Sequence, residues 1–426
     1  MAGVLQYELV EALGRELLAR ALTPAPEGPA PEPESLPSLD SFAVYVHVPF
    51  CGSLCAYCSF AKGRDDELIE RYFDALRWEL EAYGALPQLA GARVTSIFLG
   101  GGTPSYVPAE KLADLLERLR GLFRVGPEVQ VTLEANPESV DPAKLAAYRA
   151  AGIDRISLGV QSFDEARLRS LGRRHRRAEI DRAFGTIREA GISELSADLM
   201  YGLPGQTLAD FDHELDQALA APLTHLSIFP LIYRPDTPLY RRREEVQALQ
   251  LELYERASAR LEAAGFTAYT PEDFSRSGVY CAYQLDVWRP PARACLGLGA
   301  GALSGAAGRH WQNLGDTRAY LRACEAGAWP RRSGGTRDAD DEATELLLLS
   351  AKTLRFELRL LEPHLGSARA TTVKGWLGVA EQAGLVTRTS PEVFELTRPG
   401  RFFAARWWSA FILEKLGRAA QRSEKA

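Results

Sequence analysis

Apolar, β-rich runs alternate with helical stretches through the first 240 residues, and this rhythm restricts the fold more than any other feature. The six runs are 43–48 (AVYVHV), 94–99 (VTSIFL), 129–135 (VQVTLEA), 154–160 (DRISLGV), 194–200 (ELSADLM) and 224–230 (THLSIFP). Helical stretches such as 66–83 and 109–123 separate them, which predicts parallel strands joined by right-handed crossovers. Six units are too few for a closed eight-stranded barrel. We therefore predict an α/β fold with an open, partial (β/α)6 barrel.

Polar residues recur on one face of these predicted strands. Side chains alternate along a strand, so each of these groups shares a face: Thr132 with Glu134, Ser157 with Gly159 and Gln161, and Ser196 with Asp198. The opposite faces are apolar and can pack on the helices. Because the carboxyl ends of parallel barrel strands carry the chemistry, this pattern predicts a lumen that binds a polar ligand.

Three cysteines follow the first predicted strand, with the spacing C-x3-C-x2-C. They are Cys51, Cys55 and Cys58, whereas Cys281, Cys295 and Cys324 are dispersed. A structural zinc site typically takes four protein ligands, often as two close pairs, and no second pair exists here. Three thiolates on a [4Fe–4S] cluster leave one iron without a protein ligand. We therefore predict that the triad holds a [4Fe–4S] cluster with one iron open to a ligand.

Four segments carry a family resemblance: YVHVPFCGSLCAYCSF, LGGGTPS, LGVQSF and DLMYGLPGQ, in this order. Together they resemble the radical S-adenosylmethionine (SAM) superfamily, in the branch of oxygen-independent coproporphyrinogen dehydrogenase. The resemblance runs from about residue 43 to at least residue 305. It implies that the open iron binds SAM, which is cleaved to a 5′-deoxyadenosyl radical. It also implies that the glycines at 100–102 lie against the methionyl group.

The same branch resembles proteins that hold two SAM molecules, and its contacts can be carried over residue by residue. The resemblance implies contacts to the first molecule from Tyr45, Gly101 and Glu134, with Ile232 and Leu303 beside its adenosine. The implied contacts to the second molecule are Tyr57, Gly102, Thr103, Gln161, Arg173 and Asp198. The resemblance also implies a reducing partner such as flavodoxin or ferredoxin.

Within the branch, two heme-related functions are alternatives: a heme chaperone and an oxygen-independent porphyrinogen oxidative decarboxylase. The chaperone subgroup carries an H-N-x-x-Y-W motif, where this chain has YQLDVW at 283–288. The motif histidine is thus replaced by Tyr283, and only Trp288 matches fully. The decarboxylases place a further cysteine after the triad, where this chain has Ser59 and Phe60. Both departures weaken the heme-related interpretations.

A third function is therefore favoured, that of a class C radical SAM C-methyltransferase, which this branch also resembles. Such an enzyme uses one SAM molecule as the radical source and the second as the methyl donor. The implied substrate is an sp2 carbon of a heteroaromatic or peptide natural product, such as a thiopeptide thiazole. The cysteine triad would be its catalytic centre.

The remaining sequence predicts the domain organisation and the surroundings of the protein. We expect an N-terminal helix with a Pro-rich linker (1–40), the barrel (41–240), a barrel-capping extension (241–335) and a helical, winged-helix-like lid or substrate domain (336–426). The net charge of −6 and the absence of a basic recognition helix argue against nucleic acid. No apolar run approaches membrane-spanning length, and the N-terminus does not resemble a signal peptide. We therefore expect a cytoplasmic protein.

Overall fold

The computed structural model describes residues 28–59, 62–244, 246–276 and 278–405, apart from the side chains at 340 and 367–369. The N-terminal helix predicted within 1–40 and the end of the predicted C-terminal domain, from residue 406, lie outside the described residues. The described part of the Pro-rich linker lies beside the main sheet, where Gly28 pairs with Gly334, and it contains a 3-10 turn at Pro33–Ser35.

A twelve-stranded sheet forms the frame of the molecule. Its central part is parallel and follows chain order: β1 (Ser41–Val48), β2 (Arg93–Gly101), β3 (Arg124–Ala135), β4 (Arg155–Gln161), β5 (Glu194–Tyr201) and β6 (His225–Pro230). The connecting helices are α1 (Ile69–Gly84), α2 (Ala109–Leu122), α3 (Pro142–Ala150), α4 (Glu165–Ser170), α5 (Arg177–Glu189) and α6 (Leu208–Ala220). The predicted α/β partial barrel is confirmed, because these six strands pair in parallel order.

The segment after β6 extends the sheet at both edges. Its elements are α7 (Gln247–Ala263), β7 (Phe266–Ala268), β8 (Asp273–Arg276), α8 (Ala282–Trp288), β9 (Cys295–Leu298), β10 (Leu303–Ala306), β11 (Arg309–Asn313), α9 (Thr317–Glu325) and β12 (Arg331–Thr336). Strand β8 pairs antiparallel with β6 at one edge, and β9 pairs parallel with β1 at the other. The chain therefore crosses the open side of the barrel between these edges, and α8 lies on that crossing.

The C-terminal part is mainly helical and has a core of its own. It contains α10 (Ala339–Lys352), β13 (Arg355–Glu357), α11 (Leu358–Gln382), β14 (Val386–Ser390) and β15 (Val393–Leu396). The three strands form a small antiparallel sheet in the order β13-β15-β14. Leu361, Phe394 and neighbouring apolar side chains fill the space between this sheet and the helices.

The apolar faces of the parallel strands are buried under the helices, as the alternation predicts. Ile156, Leu158 and Leu199 are fully or almost fully buried in the main core. The opposite faces point into the lumen, where Ser157 Oγ donates a hydrogen bond to Asp198 Oδ1 over 3.1 Å. None of the helices within the described ranges combines the length and apolar character that crossing a bilayer requires.

Candidate cofactor site

The cysteine loop lies at the carboxyl end of β1, on what we call the rim: the carboxyl ends of β1–β6 and the loops that follow them. Cys51 is buried, whereas Cys55 and Cys58 are half-buried. Two backbone bonds fasten the loop to other rim segments, from Ala56 N to Leu171 O (2.9 Å) and from Leu239 N to Ala56 O (3.1 Å). The three thiols are thereby held over the mouth of the lumen.

The surroundings of the thiols suit metal-binding thiolates. Thr103 Oγ1 lies 3.6 Å from Cys51 Sγ and donates to it, and Arg173 Nη1 lies 3.5 Å from Cys55 Sγ. Burial raises the pKa of the Cys51 thiol, and the hydrogen bond from Thr103 opposes that shift. Donors and cations beside sulfur stabilise the thiolate, which is the form that binds metal.

The arrangement of the thiols also bears on which metal group they suit. Within the described ranges, no three His, Cys, Asp or Glu side chains are placed to share one metal ion. A cubane does not require such convergence, because each thiolate binds a different iron. The donor set of three thiols therefore fits a [4Fe–4S] cluster, with Cys51, Cys55 and Cys58 as its protein ligands.

The glycines after β2 lie directly against the cysteine loop. A Cβ on Gly102 would come within 2.9 Å of Cys51 Sγ and 2.8 Å of Phe50 O. Gly101 has a φ of 118°, and a Cβ there would meet the ring of His47 at 2.8 Å. Only glycine fits both positions, so the backbone can approach whatever occupies the space beside the thiols.

Two carboxyl groups face the lumen below this loop. Glu134 Oε2 accepts a hydrogen bond from Gly101 N over 2.9 Å. Burial raises the pKa of Glu134 to about 8 and that of Asp198 to about 6. Asp198 adds to the shift at Glu134, so the structure brings these two predicted residues into one electrostatic unit.

Arg173 is joined to the cysteine loop through Asn136, which the sequence analysis did not select. Arg173 Nη2 donates to Asn136 Oδ1 over 2.6 Å and also to Gly159 O. Asn136 Nδ2 donates to Thr103 Oγ1 over 3.1 Å. The position of Asn136, two residues beyond Glu134 at the end of β3, was the sequence signal that could have identified it.

The other predicted contacts are spread around the lumen. Tyr45 donates to or accepts from His47 Nδ1 over 3.2 Å, and Tyr57 packs on an apolar cluster that includes Met200 and Leu231. Gln161, at the end of β4, adopts a φ of 68°. Half-buried Ile232 and exposed Leu303 come from opposite edges of the parallel strands, after β6 and at β10.

A buried arginine in the lumen was missed. Arg155 is the first residue of β4 and only 3% exposed. The signal was present in the quoted run DRISLGV, since alternation places Arg155 on the same face as Ser157.

Comparisons with known proteins agree with this fold. The family model of the radical SAM superfamily matches residues 45–218. The heme chaperone HemW of Bacillus subtilis is 28% identical over 381 residues, covering 87% of this chain and 99% of that protein. HemW of Mycobacterium tuberculosis is 34% identical over 335 residues, covering 75% of this chain and 85% of that protein. Among solved structures, coproporphyrinogen III oxidase (HemN) from Escherichia coli superposes with a TM-score of 0.77 at 23% identity, covering 89% of this chain and 92% of that one.

A fold of radical SAM type with three thiols at its rim defines the class of protein. The chain belongs to the radical SAM superfamily, in its HemN/HemW-like branch. Membership implies a [4Fe–4S] cluster and SAM, and the thiol and glycine geometry fits both. Cys51, Cys55 and Cys58 would hold the cluster, which would supply an electron to SAM, and the backbone at Gly101 and Gly102 would lie beside the bound ligand.

The prediction of a class C methyltransferase is wrong, and so is the assignment of the chain as a methylating enzyme of thiopeptides. Curated relatives that cover 87% and 75% of the chain are heme chaperones HemW, and none of these is a methyltransferase. The methyltransferase was favoured because Tyr283, Gln284 and Val287 depart from the chaperone motif and because no further cysteine follows the triad. Similarity over 335–381 residues outweighs these local departures.

Proposed function

We propose that this chain binds heme and acts as a heme chaperone within the HemN/HemW-like branch. The observation that carries the proposal is the similarity to HemW of Bacillus subtilis, which extends over 99% of that protein. The likeness therefore includes the barrel, the sheet extension and the C-terminal part, rather than the cysteine loop alone.

Exposed apolar side chains at the rim support the proposal. Leu54 in the cysteine loop, Phe229 at the end of β6 and Leu303 at the start of β10 are 53%, 37% and 55% exposed. All three lie at the carboxyl edge of the sheet, since β9, which precedes Leu303, runs parallel to β1. A flat apolar macrocycle would cover such side chains favourably.

The position of the missing motif histidine is not suited to hold the heme iron in this chain. The ring of Tyr283 lies 5.1 Å from that of Phe98 and 5.9 Å from that of Tyr45, between ring centroids. Its hydroxyl lies 3.6 Å from Cys295 Sγ. Tyr283 is thus surrounded by side chains within the lumen. We therefore place the heme at the rim, without an axial ligand from position 283.

The proposal includes two SAM molecules and a reducing partner of the flavodoxin or ferredoxin kind. The predicted contacts fall into two groups that support separate sites. One group is the hydrogen-bonded pair of Gly101 and Glu134. The other group lies against the cysteine loop and consists of Gly102, Thr103 and Arg173. Equilibrium dialysis with labelled SAM should give two molecules per chain, falling to one in Arg173→Gln.

Heme titration of the cluster-loaded full chain, followed by absorbance, tests the main proposal. We expect saturable binding of one heme per chain and transfer of that heme to an added apo-globin used as a scavenger. Absence of saturable binding in both the cluster-loaded and the cluster-free protein would overturn the proposal.

Variants at exposed leucines show whether heme binds at the rim. Leu303→Asp should weaken heme binding by about tenfold, because it places a charge where apolar contact is expected. Leu360→Asp is the matched control, since Leu360 is also exposed but belongs to α11 and not to a rim segment. Equal effects of the two substitutions would contradict a rim site.

A further inference from the structure

Arg155 occupies the lower lumen, by which we mean the amino-terminal half of the lumen around Arg155, Thr132, His225, Tyr269 and Cys281. It alternates along β4 with Ser157, whose hydroxyl contacts Asp198, while Ile156 packs in the core on the other face. Its guanidinium therefore points into the lumen although the residue is only 3% exposed.

No group among the described residues accepts a hydrogen bond from this guanidinium. The nearest carboxylate oxygen is Glu194 Oε2, which lies 3.9 Å from Arg155 Nε, and Nε is buried without a hydrogen-bond partner. A guanidinium carries five N–H donors. Leaving a buried charge without hydrogen bonds is costly, so such a group typically faces a ligand or ordered water.

The carboxylates around Arg155 already accept hydrogen bonds from other groups. Glu194 Oε2 accepts from Gln130 Nε2 over 2.8 Å. Asp273 accepts from Ser227 Oγ and Thr270 Oγ1, each over 2.6 Å. These bonds fix both carboxylates in place, and the N–H donors of Arg155 remain directed into the lumen.

Cys281, Thr132 and His225 are neutral members of the lower lumen. Cys281 Sγ lies 4.0 Å from Thr132 Oγ1, and burial raises the pKa of the Cys281 thiol. His225 is held between Ser196 Oγ (2.8 Å) and Tyr269 Oη (2.6 Å), and burial lowers its pKa to about 3. At neutral pH these side chains offer hydrogen bonds without adding positive charge.

We propose that the lower lumen is a binding site for the carboxylate group of an organic ligand, held by Arg155. A carboxylate matches the fork of the guanidinium with two parallel hydrogen bonds. Glu194 and Asp273 repel a phosphate dianion more strongly than a singly charged carboxylate. The site goes beyond the proposed heme chaperone function and does not require it, because a free carboxylic acid would serve as well as a heme propionate.

Calorimetric titration of the cluster-loaded full chain with propionate, propionamide and inorganic phosphate tests the site. Propionate should bind saturably, and the other two at least about tenfold more weakly, because propionamide lacks the charge and phosphate carries too much. Arg155→Gln should weaken propionate binding by about tenfold or more. Arg118→Gln, which alters an exposed arginine on α2, should leave it unchanged.

Two further measurements test the site even if Arg155→Gln fails to fold. Arg155→Lys keeps the charge and should retain part of the affinity, and a crystal of the unaltered protein soaked in propionate should show the carboxylate at Arg155. Comparison of heme with its dimethyl ester identifies the source of the carboxylate. Weaker binding of the ester than of heme, with this difference lost in Arg155→Gln, indicates a heme propionate. Equal binding of heme and ester indicates a free acid. Water alone at Arg155, or propionate binding that ignores its substitution, would overturn the proposal.

Discussion

The rim and the lower lumen are built from the same strands but differ in how their residues are assembled. Rim residues such as Cys51, Gly102 and Glu134 come from short segments at strand ends, and several remain half-exposed. Lower-lumen residues such as Arg155, His225 and Cys281 are buried and come from strands and from the crossing segment. Rim residues can therefore be predicted from short sequence segments. The residues of the lower lumen come together only when the chain has folded and α8 has packed against the strands.

Contacts of α8 show how the lower lumen is closed. Asp286 Oδ2 accepts hydrogen bonds from Thr95 Oγ1 (2.6 Å) and Ser96 Oγ (2.7 Å), near the start of β2. Gln130 Oε1 accepts from Ala282 N over 2.7 Å. These bonds place α8 at the amino-terminal half of the strands, opposite the cysteine loop.

The largest effect is expected at the rim cysteines. Cys55→Ala should reduce the iron content of the reconstituted protein from about four atoms per chain to below one, because the cluster loses a ligand. Cys324→Ala is the control, since Cys324 is buried in α9 and should leave the iron content unchanged. Full iron content in Cys55→Ala would show that the triad does not hold the cluster.

The next effect concerns the support of α8 by the C-terminal part. Lys352 Nζ lies 2.6 Å from Glu272 Oε2 and 4.3 Å from the ring centroid of Trp288. The side chains of Lys352 and Glu272 are only 4% and 5% exposed. Removing one partner leaves a buried charge, so Lys352→Met should lower the free energy of unfolding by about 3–5 kcal/mol. Urea unfolding measures this loss, and the iron content should not change.

The double variant Lys352→Met/Glu272→Met is the control for this prediction. It removes both charges and should recover most of the stability. An equal loss in the single and double variants would mean that packing, and not the buried charge, sets the cost.

A smaller effect is expected at the glycine beside the cysteine loop. Gly102→Ala forces a Cβ against Cys51 Sγ and Phe50 O and should cost about 1–3 kcal/mol. Gly121→Ala, in α2 with open space around the added Cβ, should instead stabilise the protein by up to about 1 kcal/mol. Thermal unfolding of both variants measures these changes. Equal changes in the two variants would mean that the close contact at Gly102 does not determine the cost.

The smallest effect per unit measured is a change in the slope of stability against pH. Glu134 has its pKa raised from 4.5 to about 8, so between these values the folded state holds a proton that the unfolded state releases. Stability contributed by this group is therefore greatest below the unfolded pKa and falls as pH rises toward about 8. Glu134→Gln should flatten that fall by up to about 1.4 kcal/mol per pH unit. Parallel pH profiles for the two proteins would contradict the prediction.

Much of the fold could be predicted because the six parallel strands are apolar on one face and polar on the other. The fourth run was placed at 154–160 and is observed as Arg155–Gln161. Strands β7 to β12 were not predicted, since they have three to six residues and several contain glycine, which leaves little alternation to detect. In the Gly-rich segment 296–306, for example, β9 and β10 flank a turn.

The cysteine triad was identified as a cluster site from its spacing, its position after the first strand and its neighbouring motifs, and the thiol environment fits that interpretation. Asn136 and Arg155 were missed because their roles depend on partners distant in sequence, such as Arg173 and Glu194. The function was mispredicted because the branch motifs are common to several activities. Three departures from the chaperone motif and a missing cysteine then decided the choice, although Tyr283 lies in the lumen and not at the rim.

The most direct test of the central claim is electron paramagnetic resonance of the reduced, cluster-loaded protein with and without SAM. The account holds that Cys51, Cys55 and Cys58 leave one iron open beside Gly102, so adding SAM should change the spectrum of the cluster. The same change should occur in Arg155→Gln, because the lower lumen lies away from the thiols. A cluster spectrum that SAM leaves unaltered would contradict the account.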